Sequence, residues 1–188
     1  TFTLFVFNAA ARALRTHPEA AVVQDALEAR VVAGPAPRRA IALEALAAAV
    51  PARAIPFAET LISHGEPALR IASCRAFGEA VQRGALKFSR CQAQLVTALA
   101  DVVPGVRAAA AKALGLAPSG VVPALNADAT SALLDRTNDA DAGVRDAAAE
   151  TLAAAAEGIR DALAARLTIS DATARRTIVG ALRNDAPS

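Results

Sequence analysis

An arginine followed seven positions later by a large apolar residue recurs along this chain, as Arg39 with Leu46, Arg70 with Phe77, Arg107 with Leu114, Arg145 with Leu152 and Arg175 with Leu182. Successive copies lie 31, 37, 38 and 30 residues apart, usually just after a Pro, Gly or Asp turn. A period of that length holds two helices and a turn, and no other feature constrains the fold as tightly. It marks an array of helical repeats, each packed on its neighbours, and not one closed enzyme core. Length therefore counts repeats instead of domains.

Alanine makes up more than a quarter of the 188 residues, and Trp, Tyr and Met are absent. Alanine combines the highest helix propensity with the smallest side chain that still packs, so an all-α fold with closely approaching helices is predicted. The formal net charge of +2, from 20 basic and 18 acidic side chains, gives no large field to draw the chain onto nucleic acid or an anionic membrane. Of the Lys and Arg residues all but Lys87 and Lys112 are arginine, which alongside the alanine excess reads as GC-rich coding before it reads as selection for bidentate contacts.

Cys74 and Cys91 stand 17 residues apart with no CxxC and no clustered His, a spacing that assembles neither a zinc site nor a redox motif. Buried, reduced thiols in a cytoplasmic, reducing setting are expected. No segment approaches the roughly 20 continuous apolar residues of a membrane span, so no membrane partner is expected. The apolar opening, residues 1–7, lacks the basic flank and small-residue cleavage site of a signal peptide. A chain without Met is expected to be a fragment of a longer solenoid, or a processed product.

Turn chemistry divides the chain into helical pairs. In the clearest copy residues 129–136 close a first helix, the Asp/Asn/Gly-rich turn 137–143 follows, and 144–157 form the second helix, with its arginine at the start. The same reading gives pairs over 19–33 and 38–50 around the turn Gly34-Pro35-Ala36-Pro37, and over 89–100 and 106–116 around Val103-Pro104-Gly105. Another pair covers 53–63 and 68–81, with Pro56 near its helix start. Residues 117–126, with two prolines and Gly120, read as an irregular linker, and 159–168 with 172–183 as a last pair N-capped by Asp171. Residues 2–16 read as a half repeat with Phe7 where the arginine belongs. Its Phe2, Phe5 and Phe7 are expected to pack on adjoining repeats, with an exposed apolar end that continues the solenoid or docks a partner as the other reading.

The segment 133–152 resembles a HEAT repeat, whose pattern places an aspartate six residues before an arginine that follows valine, then Ala and Leu at helical spacing. Asp139, Val144, Arg145, Ala148 and Leu152 fill those places, and Asp101, Val106, Arg107, Ala110 and Leu114 fill them again, with Pro104 in the turn. The copies at Arg70 and Arg175 have Glu66 and Asp171 four residues before the arginine instead, and the copy at Arg39 has no acid nearby. The resemblance covers roughly residues 19–183, and armadillo repeats fit nearly as well. It implies a right-handed α-solenoid of about five helical hairpins plus the half repeat, one array with repeats at about 19–50, 53–83, 89–116, 124–157 and 158–184. A turn aspartate accepts hydrogen bonds from N–H groups at the start of the second helix and from the arginine of its own or an adjacent repeat, which makes Arg39, Arg70, Asp101, Arg107, Asp139, Arg145 and Arg175 a structural ladder.

Catalytic chemistry is not expected. His17 and His64 stand alone beside turns without an activating Ser or Cys pattern, Gly65, Gly105 and Gly143 are isolated turn glycines, and Asp139 with Asp141 lies beside Arg145 in a capping context. Stacking platforms for single-stranded nucleic acid need Tyr, Trp or exposed Phe among basic residues, and Arg38-Arg39 and Arg175-Arg176 are too far apart to form a stripe. The expected role is a non-enzymatic scaffold or adaptor that takes one or more protein partners, without a cofactor or metal, on its concave helix surface and turn edge. Arg38, Glu66, Pro104, Lys112, Asp141, Asp146 and Arg176 are the candidate contacts. A tubulin-binding or ciliary scaffold, cytoskeleton-associated, is an alternative, although tubulin-binding arrays usually carry a first-turn aromatic that Gly34-Pro35-Ala36-Pro37 lacks. A bilin lyase-like HEAT protein is the enzymatic alternative, against which the aromatic poverty argues.

Overall fold

The computed structural model describes residues 20–156 together with Val179. Among the described residues there are eight helices and no strand: α1 (Ala20–Val32), α2 (Ala36–Ala49), α3 (Pro51–Leu61), α4 (Pro67–Gln82), α5 (Phe88–Ala98), α6 (Pro104–Leu114), α7 (Ala127–Arg136) and α8 (Ala142–Ala154). They fall into two compact units, Thr1–Leu86 with α1–α4 and Lys87–Ser188 with α5–α8. In the first, α2 packs on its own first helix α1 and on both helices of the next hairpin, α3 and α4. In the second, α8 packs on its own first helix α7 and on the preceding second helix α6. Neighbouring hairpins stacked through their second helices are the packing of an α-solenoid, and the all-α repeat fold expected from the sequence is the one the chain adopts.

The second helices start earlier than the sequence suggested. Arg39, Arg70, Arg107 and Arg145 are each the fourth residue of their helix, not the first. Residues read as turn supply the missing first turns: Pro37, Pro67 and Pro104 lie at the first or second helical position, where a fixed φ suits the helix and the absent N–H would have had no partner. Pro104, read as a turn residue, opens α6. The helix expected from residue 53 likewise begins at Pro51, so Pro56 sits in its interior. The helix α8 has no proline and relies on Asp141, whose Oδ1 accepts the Val144 N–H at 3.0 Å.

A constant register follows. The residue seven beyond each arginine, Leu46, Phe77, Leu114 and Leu152, is almost fully buried, at 0–1% exposure. Seven residues are close to two turns, which puts arginine and core residue on one side of the helix, one at its edge and one at its centre. Alanine fills most of what remains. Ala42, Ala45, Ala47, Ala48 and Ala49 are buried on α2, and Ala109, Ala110, Ala111 and Ala113 on α6, so these helices are covered over more than one face.

The helix α4 ends in a left-handed cap. Gly84, at φ +70°, lets the Ala85 N–H reach the Ala80 carbonyl at 2.8 Å while its own N–H reaches Val81 at 2.9 Å. The linker expected over 117–126 is non-helical, and buried Gln92 of α5 fastens it: the side-chain amide donates to the Ala124 carbonyl at 2.8 Å and accepts the Asn126 N–H at 3.2 Å. Asn126 in turn caps α7 through Ala129 N–H.

At the far end of α6 the two second helices of the second unit come close. A Cβ on Gly115 would stand 2.8 Å from Thr151 Oγ1 and 3.4 Å from the Thr151 Cα. Thr151 is itself buried and donates to the Ala111 carbonyl at 2.8 Å, so it cannot turn aside without giving up that bond. Gly115→Ala is expected to destabilise the second unit by about 1–3 kcal/mol, read by urea unfolding, with Thr151→Ala in the same chain recovering part of the loss.

The half repeat at 2–16 with Phe2, Phe5 and Phe7, the last pair over 158–184 with Asp171, Arg175 and Arg176 (Val179 apart), and His17 lie outside the described residues.

Candidate functional site

The turns are where charged side chains converge, and they do so by one rule. Three of the four arginines at the fourth helical position point Nη1 back at carbonyls at the end of the preceding turn. Arg70 donates to His64 and Gly65 at 2.8 and 2.9 Å, Arg107 to Asp101 and Val102 at 2.9 and 3.3 Å, and Arg145 to Asp139 and Ala140 at 2.8 and 3.0 Å. Those carbonyls lie six and five residues before the arginine in every case, so the contact is built into the hairpin. Arg39 differs, donating through Nε to the Val31 carbonyl eight residues back, in the last turn of α1. Turn carbonyls in three hairpins, and the Val31 carbonyl at the end of α1, thereby gain a cationic partner.

The turn aspartates tighten the same corner. Asp101 Oδ1 accepts the Val103 N–H at 2.8 Å and Asp139 Oδ1 the Asp141 N–H at 3.0 Å. The N–H groups belong to the residue just before each second helix, one position short of the helix itself.

Asp139 then joins two repeats. Its carboxylate takes a two-pronged contact from Arg107, Nε to Oδ2 at 2.8 Å and Nη2 to Oδ1 at 2.6 Å, across 32 residues of sequence. Arg136 adds a longer contact at 3.3 Å. The carboxylate is 3% exposed and the guanidinium 12%. The hydrogen bonds from Arg107 hold the Asp139 carboxyl below the usual carboxylate range, outweighing the desolvation that pushes it up, and the same pairing raises the Arg107 guanidinium.

The residues read as partner contacts are dispersed. Arg38, Glu66, Pro104, Lys112 and Asp146 are exposed, on the first turn of α2, the residue before α4, the first and last turns of α6 and the early part of α8. Asp141 is half-buried with one oxygen committed to capping α8. The structure brings Asp139, Arg107 and Arg145 to one corner and leaves the five exposed side chains spread over separate turns.

Sequence reasoning missed three contacts. Arg53 of α3 gathers Gln24, Asp25 and Glu28 of α1, and Arg75 of α4 pairs with Glu44 of α2 at 2.7 Å. Thr151 joins α8 to α6. Spacing near one repeat was the available signal for Glu44 and Arg75, 31 residues apart. Among the described residues no group of three or more His, Cys, Asp or Glu side chains is placed to hold a metal ion, and no helix is long and apolar enough to cross a membrane.

Cys74 and Cys91 are both buried, and neither forms a disulfide. Burial pushes the Cys91 thiol up to about 11. Two units above its ordinary value means about a hundredfold less thiolate at pH 8, so iodoacetamide is expected to label Cys91 at least about a hundredfold more slowly in the folded chain than in urea, as read by mass spectrometry.

Residues 55–153, just over half of the chain, match the family model for HEAT repeats. The chain belongs to the HEAT-repeat family. No curated protein matches it. Among solved structures, two engineered proteins resemble it in fold, with TM-scores of 0.63 and 0.60, 21% and 19% identity, 94% of this chain covered in both and 89% and 90% of theirs. The complex of CpcE and CpcF of phycocyanin lyase from Nostoc sp. PCC7120 is also similar, at TM-score 0.56 and 26% identity over 86% of this HEAT-repeat chain and 98% of that one. HEAT repeats of this kind form a helical scaffold, and in the second unit the Arg107–Asp139 pair joins one repeat to the next alongside the packing of α6 on α8.

Proposed function

We propose that the chain is a non-enzymatic protein-binding scaffold, a single array from end to end that holds one or more partners along its second-helix surface and turn edge. One observation carries this reading: the arginines at the fourth position of the described second helices are committed to carbonyls of their own hairpins, which leaves fixed corners between exposed Pro104 and exposed charges of both signs, Arg38, Glu66, Lys112 and Asp146. Preformed edges lose little entropy on binding. Buried thiols outside any disulfide at Cys74 and Cys91 suit a reducing, cytoplasmic setting. The test is capture from a lysate of the source on immobilised chain, with Lys112→Glu and Asp146→Lys variants. A stoichiometric set of proteins, diminished by at least one variant, is the expected result, and capture identical across wild type and both variants counts against these edges.

A second reading rests on the likeness to the CpcE–CpcF complex. It makes the chain one half of a two-chain lyase acting on a pigment-bearing protein. Incubation with a bilin and its acceptor protein, followed by visible absorption of the denatured acceptor, separates the two readings: covalent colour favours the lyase.

A further inference from the structure

The described arginines are engaged by acids or carbonyls in all but two cases. Arg53, Arg75, Arg83, Arg107 and Arg136 have carboxylate partners, Arg39 and Arg145 have carbonyls, and Arg70 and Arg90 are likewise engaged. Arg30 and Arg38 alone among the described arginines have neither. Both line the same pocket, about 440 Å³, where the end of α1 turns through Gly34 into the start of α2. Leu27, Ile41 and Ala42 give that pocket an apolar wall. Val32, next in sequence to the lining residue Ala33, is a 65% exposed apolar side chain.

We infer that this pocket binds an acidic, amphipathic segment of a partner protein, with an aliphatic side chain against Leu27 and Ile41 and flanking carboxylates on Arg30 and Arg38. This rests on the scaffold reading and says where, and to what chemistry, it applies. Charge complementarity decides the occupant. The acids of α1 and α2 are already taken, Asp25 and Glu28 by Arg53 and Glu44 by Arg75, so on these two helices no described acid neutralises either guanidinium group. The start of α2 adds to the demand, because its first turn contains no acid and its N-cap, Pro35, offers no side-chain acceptor. A volume of this size accepts a leucine-sized anchor but not a helix, so the partner inserts side chains and lays its backbone across the mouth.

The test uses the full chain and a short fluorescein-labelled peptide of repeating Glu-Leu-Leu-Glu, followed by anisotropy at low and physiological salt. Two control peptides replace Glu by Lys and Leu by Ser. Arg30→Glu combined with Arg38→Glu touches only exposed, unpaired side chains, so the variant is expected to fold, with circular dichroism as the check. Ile41→Asp attacks the apolar wall separately. The expected result is binding of the Glu/Leu peptide that weakens with salt, that both controls lack, and that falls by about tenfold or more in either variant. Absence of binding by the wild-type chain, equal binding of the Lys peptide, or unchanged binding by both variants overturns the assignment. If the charge-reversed variant still captures the same lysate proteins as wild type, the pocket is not their site while the scaffold reading stands. If the peptide binds as expected but no lysate protein does, the pocket stands and the scaffold reading falls.

Discussion

Replacing Asp139 with alanine is expected to lower the stability of the second unit by about 3 kcal/mol, because removing one partner of a shielded pair strands the other and its desolvation remains uncompensated. Three things are lost together: the two-pronged contact with Arg107, the contact with Arg136 and the turn bond to the Asp141 N–H. The figure lies at the low end of the range for buried pairs, since Arg107 is 12% exposed and keeps its carbonyl contacts at Asp101 and Val102. Asp139→Asn keeps an acceptor for the Asp141 N–H, and it is expected to cost less. Urea unfolding of both variants, and of Arg107→Ala alone and combined with Asp139→Ala, measures the coupling. A double variant no worse than either single one is the signature of a pair that acts as a unit.

The same carboxylate makes a pH prediction with a definite sign. Its folded value is depressed below the unfolded one, so the stabilisation is fully present above the ordinary carboxylate range and is lost as pH falls through the depressed folded value. Wild type is therefore expected to lose stability more steeply than Asp139→Ala below about pH 4. Thermal melts from pH 7 downward show this as converging curves. Curves that stay parallel across the acid range would mean that Asp139 titrates normally in the folded chain.

Phe77→Ala is expected to cost the first unit about 4 kcal/mol through the cavity it leaves. Phe77 is 1% exposed at the centre of α4, which packs on α2 and α3, and the surrounding helices are fixed by other contacts and cannot collapse fully into the gap. Phe77→Leu is a sharper test. Leucine occupies the equivalent position in the other three described second helices, at Leu46, Leu114 and Leu152, so the fold itself accepts it there. The leucine variant is expected to lose no more than about 1.5 kcal/mol. A loss close to that of alanine would mean that the first unit is shaped around the ring, not around the register.

Much of this architecture was legible because it repeats. The interval from arginine to core residue survives in every described copy, since both ends are held by the same helix and neither depends on the variable turn between. Helix starts were less legible. Proline reads as a turn residue in isolation, yet at Pro67 and Pro104 it opens the helix, and the two roles share one backbone conformation until the following residues are placed. The corner at Asp139 was readable as an acid–arginine ladder, but the aim of Arg70, Arg107 and Arg145 at carbonyls six and five residues back was not, because backbone acceptors leave no mark in a sequence. Arg30 was overlooked for the complementary reason. It belongs to no motif, and its distinction, shared with Arg38, lies in having no partner among the described residues, which emerges only when the other described arginines have been accounted for.

The guanidinium of Arg107 divides its work by direction: one nitrogen serves the hairpin to which it belongs, and the others reach the hairpin that follows. Each repeat of this type thus carries its own fastener and one half of a coupling to the next. A hairpin with a turn aspartate can be received wherever such an arginine precedes it, and it offers a new arginine at its other side. A chain put together in this way can be lengthened by copying a hairpin whole, with both ends of the insertion already matched to their neighbours.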